Sequence, residues 1–264
     1  MSNSFSKDIV TNASVEFSDG LYFQKNLERD LPFEHQYIPL RKAEGRMYDD
    51  AAVAKLPEVE TSHPLFKEWY IRKKSTARLA QFLKIRQPKE VIEVGCGNGW
   101  LIRYIHSALE ADCLGIDMNA IELLQAVRTS GNAKSLTFIY ADIFSELFAK
   151  PCADIIILAS VIQYFPDAKS LLERLVNMLN QGGQVHILDS PFYSEKTIGA
   201  AKARSQEYFS TLGYAAMQFH YFHHRWYVLD SFKATIKYDP TTVVNRLSQK
   251  VLGDSPFPWI IIEK

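Results

Sequence analysis

The segment VIEVGCGNGW, residues 91–100, runs from a buried-strand pattern directly into Gly95, Gly97 and Gly99, and from there into a helix expected over Trp100 to Ala108. Glycines between a strand and a helix start let the backbone approach a ligand closely, with exposed N–H groups at the helix N-terminus facing it. On its own the cluster also fits a tight turn with no ligand.

Reading outward, the chain from Glu90 alternates short apolar runs with helical stretches: Val91 to Val94, Leu114 to Ile116, Leu136 to Tyr140, Ile155 to Ala159 and Val185 to Leu188. This is the rhythm of an α/β fold with a parallel sheet covered on both faces. Leu171, Leu172, Leu175, Val176 and Leu179 form one helix face, and Gly182-Gly183 is expected to end that helix and turn the chain into the next strand. Phe232 to Tyr238 and Trp259 to Glu263 are the last strand candidates, with Pro256 and Pro258 just ahead of the final one. Upstream, Pro64 opens a helical pattern that continues to Leu83 as one helix or two in series.

The second and third strands each end in an acid. Asp117 in DCLGIDMNA is placed to accept hydrogen bonds from ribose hydroxyls, as in other adenosine sites. Asp142 in FIYADIF offers an acceptor to an adenine amino group, with Ile143 as an apolar wall. The dinucleotide fingerprint G-x-G-x-x-G requires glycine at position 100, where this chain has Trp100.

The blocks VIEVGCGNG, GIDMN, YADIF and CADIIILASVIQYFPD, in that order, resemble the class I S-adenosylmethionine-dependent methyltransferase family over roughly residues 65–264. The resemblance implies a Rossmann-like sheet of seven mostly parallel strands in the order 3-2-1-4-5-7-6. Strand 7 is antiparallel, helices cover both faces, and a helical extension precedes the core. It further implies that Gly95 and Gly97 pass under the methionine part of S-adenosylmethionine, with Glu93 orienting that end. Asp117 would hold the ribose and Met118 flank the adenine, Asp142 and Ile143 would complete the adenine pocket, and Ala159 and Ser160 would border the sulfonium. Glu93 equally fits a helix cap, and Met118 and Ile143 are types that ordinarily pack. Trp69, Tyr70, Arg72 and Lys73 lie where helices of this family close over the methionine end, so Arg72 is a candidate for its carboxylate.

Thirty basic residues balance thirty acidic ones in 264, so no overall field favours a nucleic acid. The fourth block also lacks the NPPY-like signatures of base-methylating enzymes. Cys96, Cys113 and Cys152 have neither redox nor zinc spacing, which points to a reducing, cytoplasmic setting with no metal. The first residues contain no signal-length apolar run and no stretch reaches membrane-span length, so no membrane partner is expected. Residues 1–60 are expected to be an extension wrapped on the body, and 61–264 the catalytic domain, with a lid-like insertion at about 190–228.

In-line methyl transfer requires alignment and exclusion of water more than obligatory catalytic side chains. Candidates for handling a proton are Tyr164, Asp189, Tyr193, His220, His223 and His224. The adjacent histidines fit a metal poorly, and each also fits a structural role. The aromatic crowd from Phe192 to Tyr227 suits a packed lid or an apolar acceptor pocket. The expected reaction is methylation of a small-molecule oxygen or nitrogen; the alternatives are a protein or peptide acceptor, or a cofactor-binding partner subunit without catalysis.

Overall fold

The computed structural model describes residues 5–28, 32–131 and 133–264. In chain order the elements are α1 (Phe5–Val10), β1 (Val15–Ser18), β2 (Leu21–Gln24), α2 (Pro32–Ala43), α3 (Asp50–Lys55), α4 (Phe66–Arg86), β3 (Glu90–Val94), α5 (Trp100–Ala108), β4 (Asp112–Asp117) and α6 (Ala120–Ser130). There follow β5 (Leu136–Tyr140), β6 (Ala153–Ala159), α7 (Ala168–Met178), β7 (Leu179–Leu188), α8 (Glu195–Thr211), β8 (Lys233–Tyr238), α9 (Val243–Leu252) and β9 (Trp259–Glu263).

The central strands alternate their side chains between two buried layers, which is why they read as continuous apolar runs. Ile92, Val94, Leu114 and Ile156 meet Leu171, Leu172 and Leu175 of α7 on one face. Val91, Cys113, Ile155 and Ile157 meet Leu79 and Leu83 of α4, Ile102 and Ile105 of α5 and Leu123 of α6 on the other. Neither face of the central strands is left to water, so helices on both sides follow from the sequence pattern.

Among the described residues the sheet has nine strands in the order β1-β2-β5-β4-β3-β6-β7-β9-β8. Taken from β3 onward this is the expected 3-2-1-4-5-7-6, with β9 antiparallel to β7 through Val185↔Ile262 and its neighbours. Two additional strands correct the expectation of seven strands and of a purely helical extension. β1 and β2 form an antiparallel hairpin, and β2 pairs in parallel with β5 through Tyr22↔Ile139 and Phe23↔Tyr140. Strands of four residues carry too few alternations to register as a pattern. Gly182-Gly183 also departs from expectation: α7 ends at Met178, and the glycines lie inside the irregular start of β7, where the pairing with β6 shifts between Ala153 and Ile155.

The carboxyl ends of β3, β4 and β6 open where the strand order reverses, the usual crevice of such sheets. Two non-glycine residues at this end take positive φ, Ser160 (57°) after β6 and Asp189 (50°) after β7. They are tied together by the Ser160 hydroxyl, which donates to the Asp189 carbonyl at 3.0 Å.

Candidate functional site

The glycine turn is built to exclude side chains. Gly95, Gly97 and Gly99 have φ of 71°, 51° and 69°, in the left-handed region that favours glycine. A Cβ on Gly95 would stand 2.1 Å from Val161 Cγ2, and one on Gly99 would stand 2.6 Å from the Phe138 ring. The turn is held from below by Asp117, whose Oδ2 accepts the Gly97 N–H at 2.7 Å while Oδ1 accepts that of Asn119 at 2.9 Å. Burial pushes the Asp117 pKa up, opposed by these backbone donors.

Glu93 is 3 % exposed, and its Oε2 accepts the Ile102 N–H at 2.8 Å. It thereby caps α5, whose own N-cap residue, Gly99, has no side chain to do so. The capping role that the sequence left open is therefore real, and Glu93 also lines the large cavity described below. Burial holds its pKa well above the ordinary range, with Asp117 adding to the rise and the Ile102 N–H and Arg72 opposing it.

Two adjoining cavities flank the turn. The smaller, about 310 Å³, is lined by Ile116, Asp117, Met118, Asp142, Ile143 and Phe165, among others. The larger, about 790 Å³, is lined by Arg72, Glu93, Asn98, Trp100, Ala159 and Asp189, with aromatic residues over it. Gly95, Gly97, Glu122, Ser160, Tyr37 and Tyr164 border both. All nine residues expected to bind the cofactor, namely Glu93, Gly95, Gly97, Asp117, Met118, Asp142, Ile143, Ala159 and Arg72, thus line one or both cavities.

The candidates for proton handling separate. Tyr164 borders both cavities, and burial raises its pKa to about 12. His223 and His224 line a different cavity of about 430 Å³. His223 Nε2 is 3.0 Å from Ser205 Oγ, and His224 Nε2 is 3.0 Å from the Ile162 carbonyl. Burial lowers the pKa of both rings. His220 packs edge-on against Phe33 at 5.5 Å. Arg72 and Lys73 separate likewise: Arg72 lines the large cavity and bonds Glu68 at 3.1 Å, whereas Lys73 is half-exposed on Glu58.

Several site residues were not singled out from the sequence. Glu122, 5 % exposed, borders both cavities. Burial raises its pKa to about 7 against the opposing field of Arg41. Its sequence signal was visible but concealed its role: Asn119 caps α6 by accepting the Glu122 N–H at 3.1 Å, so N-x-x-E reads as a cap. Tyr37 and Arg41 come from α2, within a stretch that reads only as paired charges. Asn98 Oδ1 and Asp189 Oδ1 are buried without a protein partner, and both residues line the large cavity.

The methyltransferase-domain family matches residues 85–227, more than half of the chain. The chain is 27% identical to a chloroplastic tocopherol O-methyltransferase of Arabidopsis thaliana over 103 residues, 38% of this chain and 30% of that protein. It is 30% identical to methyltransferase str2 of Strobilurus tenacellus over 118 residues, 44% of this chain and 41% of that protein. The chain thus spans less than half the length of these curated relatives. An O-methyltransferase family protein of Burkholderia thailandensis superposes with a TM-score of 0.55 at 10% identity, covering 88% of this chain and 71% of that one. A magnesium protoporphyrin IX methyltransferase of Synechocystis PCC 6803 with bound SAH does so with a TM-score of 0.56 at 14% identity, covering 87% and 95%. These superpositions speak to fold, while the family match falls on the glycine turn, both strand-end acids and the fourth-strand block, and the chain belongs to the methyltransferase family, of the class I S-adenosylmethionine-dependent type.

Proposed function

We propose that the protein transfers a methyl group from S-adenosylmethionine to an oxygen or nitrogen of a small molecule held in the larger cavity. The observation that carries this reading is the pair of adjoining cavities separated by the Gly95–Gly97 turn, with the adenosine-type residues around one and the acid-rich, aromatic wall around the other. The residues present fit the cofactor. Asn98 Oδ1 and Glu93 supply acceptors for an ammonium, and Arg72 supplies a cation for a carboxylate. The likeness to a tocopherol O-methyltransferase supports a small-molecule acceptor.

In this reading Asp117 holds the ribose, while Asp142, Ile143 and Met118 hold the adenine. S-adenosylmethionine, when bound, supplies an electrophilic methyl on a sulfonium. The chain's part is alignment, exclusion of water and disposal of the acceptor's proton. Tyr164, protonated at neutral pH, orients the acceptor through its hydroxyl. Asp189 is the proton acceptor: Oδ2 accepts from Ser75 at 3.0 Å, Oδ1 has no protein partner, and burial raises its pKa against Arg72 and Ser75. Residues 195–221 act as the lid, contributing Ser205, Tyr208, Phe209 and Tyr221 to the cavity wall.

The test is thermal unfolding with S-adenosylmethionine, S-adenosylhomocysteine, NAD or no ligand. At about 100 times its dissociation constant, a native-state ligand adds roughly 2.7 kcal/mol, or about 5–10 °C for a chain of this size. The two adenosyl ligands are expected to shift the midpoint in wild type and not in Asp117→Ala. A shift with NAD alone would overturn the reading.

A further inference from the structure

Helix α9 is amphipathic with its faces reversed. Its polar side is turned to the body: Asn245 Nδ2 donates to the Asp239 carbonyl at 2.7 Å, Gln249 Nε2 to the Pro240 carbonyl at 2.7 Å, and Ser248 Oγ to Asp254 Oδ2 at 3.1 Å. Its apolar side faces outward. Val243, Leu247 and Val251, four residues apart on one face, are 83 %, 62 % and 70 % exposed, and Val244 and Leu252 are 75 % and 57 % exposed beside them. No residue of this ten-residue helix is buried. A helix that turns its two leucines and three valines to water has a partner other than its own core.

The charges on the helix identify that partner. Arg246 and Lys250, also four apart, flank the apolar row, and the helix contains no acid. Lys74 of α4 donates to the Leu252 carbonyl at its end. The acids that flank it in sequence pair with groups other than Arg246 and Lys250, Asp239 with Thr241 and Asp254 with Arg78 and Ser248. An apolar row edged by cations is the pattern of a helix lying in a lipid interface and drawn there by anionic headgroups. Five aliphatic side chains offer on the order of 400 Å² of apolar surface, about half of the roughly 800 Å² per partner that a stable protein interface buries. Among the described residues no helix is long and apolar enough to cross a membrane, and ten residues suit a surface rather than a span.

We infer that α9 docks the protein on an anionic lipid surface. Just beyond the helix, Pro256 and Phe257 line the larger cavity, so docking sets the rim of that cavity against the lipid. Resting on the methyl-transfer reading, this makes the acceptor a lipophilic molecule drawn from the bilayer.

The experiment is flotation of the full chain with vesicles of phosphatidylcholine alone or mixed with phosphatidylglycerol, with no cofactor or acceptor added, so that its outcome is independent of the methyl-transfer reading. Wild type is expected to float with the mixed vesicles and to lose affinity in high salt. Leu247→Ser with Val251→Ser is expected to weaken binding on the order of a hundredfold, and Arg246→Gln with Lys250→Gln by about tenfold. Unchanged melting curves for both variants establish that neither is a folding defect. No flotation, or equal flotation of wild type and variants, overturns the inference. So does sedimentation in lipid-free buffer that shows a dimer abolished by the serine variant, because a second copy then covers the helix.

Discussion

Arg41 Nη2 stands 3.9 Å from Glu122 Oε1, linking α2 of the amino-terminal segment to α6 of the core at the junction of the two cavities. Burial raises Glu122 to about 7 even with this cation nearby, so the folded state holds a proton that the unfolded chain releases at about 4.3. The sign follows from linkage: between those values the native state binds more protons, so stability falls as pH rises through the window. Glu122→Gln removes this dependence. Relative to wild type, the variant is expected to gain stability on going from pH 5 to pH 8, by up to a few kcal/mol. Urea unfolding of both proteins at the two pH values measures the gap, and an unchanged gap would sink the idea.

The glycine turn makes a packing prediction. Gly95→Ala adds a methyl in collision with Val161 at a positive φ, and is expected to destabilise the fold by about 2–4 kcal/mol. Shrinking the neighbour with Val161→Ala removes the 2.1 Å contact with Cγ2 but leaves the 2.9 Å approach to Cβ and the backbone strain. The double-mutant cycle should therefore show coupling of about 1–2 kcal/mol. Additive losses would mean that Val161 moves aside without resistance.

Arg72 and Lys73 differ in placement, and calorimetric titration with S-adenosylmethionine should distinguish them. Arg72→Ala is expected to weaken binding by about tenfold or more through loss of a charged hydrogen bond. Lys73→Ala, which removes an exposed ion pair with Glu58, should change it less than about twofold. Equal effects would remove Arg72 from the site.

For Asp189 the expected signature is in turnover rather than binding. Asp189→Asn should lower kcat by about a hundredfold while leaving cofactor affinity within about threefold. Wild-type kcat should rise with pH as the carboxyl, raised by burial, releases its proton, and the variant should lack that limb. His223→Ala, at the adjoining cavity that shares Ser205 and Tyr221 with the larger one, serves as the comparison and should retain the pH-dependent limb.

The parallel core was legible because each central strand is buried on both faces, which writes an uninterrupted apolar run such as Ile155 to Leu158. The smaller cavity was legible because its groups lie at strand ends, at Asp117, Asp142 and the glycine turn, where local sequence carries the geometry. The wall of the larger cavity was not, because Tyr37 and Arg41 are brought beside Glu122 of α6 only by the packing of α2 on the core. Contacts that α2 makes with the site lie far along the chain and leave no mark on the local sequence. Helix α9 was missed for the opposite reason, since its apolar residues look ordinary and only their outward orientation is unusual.

The amino-terminal hairpin has a consequence in the order of events during synthesis. β2 pairs with β5, and Gln24 Oε1 accepts the N–H of Asp142 at 3.1 Å across 118 residues of chain. When Leu21–Gln24 leaves the ribosome its partner strand has not been made, and β5 itself needs β4 on its inner side. A pairing of such long range closes late, so this hairpin is among the last pieces of the sheet to be placed. Until then the nascent chain exposes β5 as an open edge, the kind of edge that invites pairing with another chain. The short hairpin therefore acts as a closing piece, fitted once the sheet exists, and its arrival both seals that edge and holds the backbone of Asp142 at the rim of the smaller cavity.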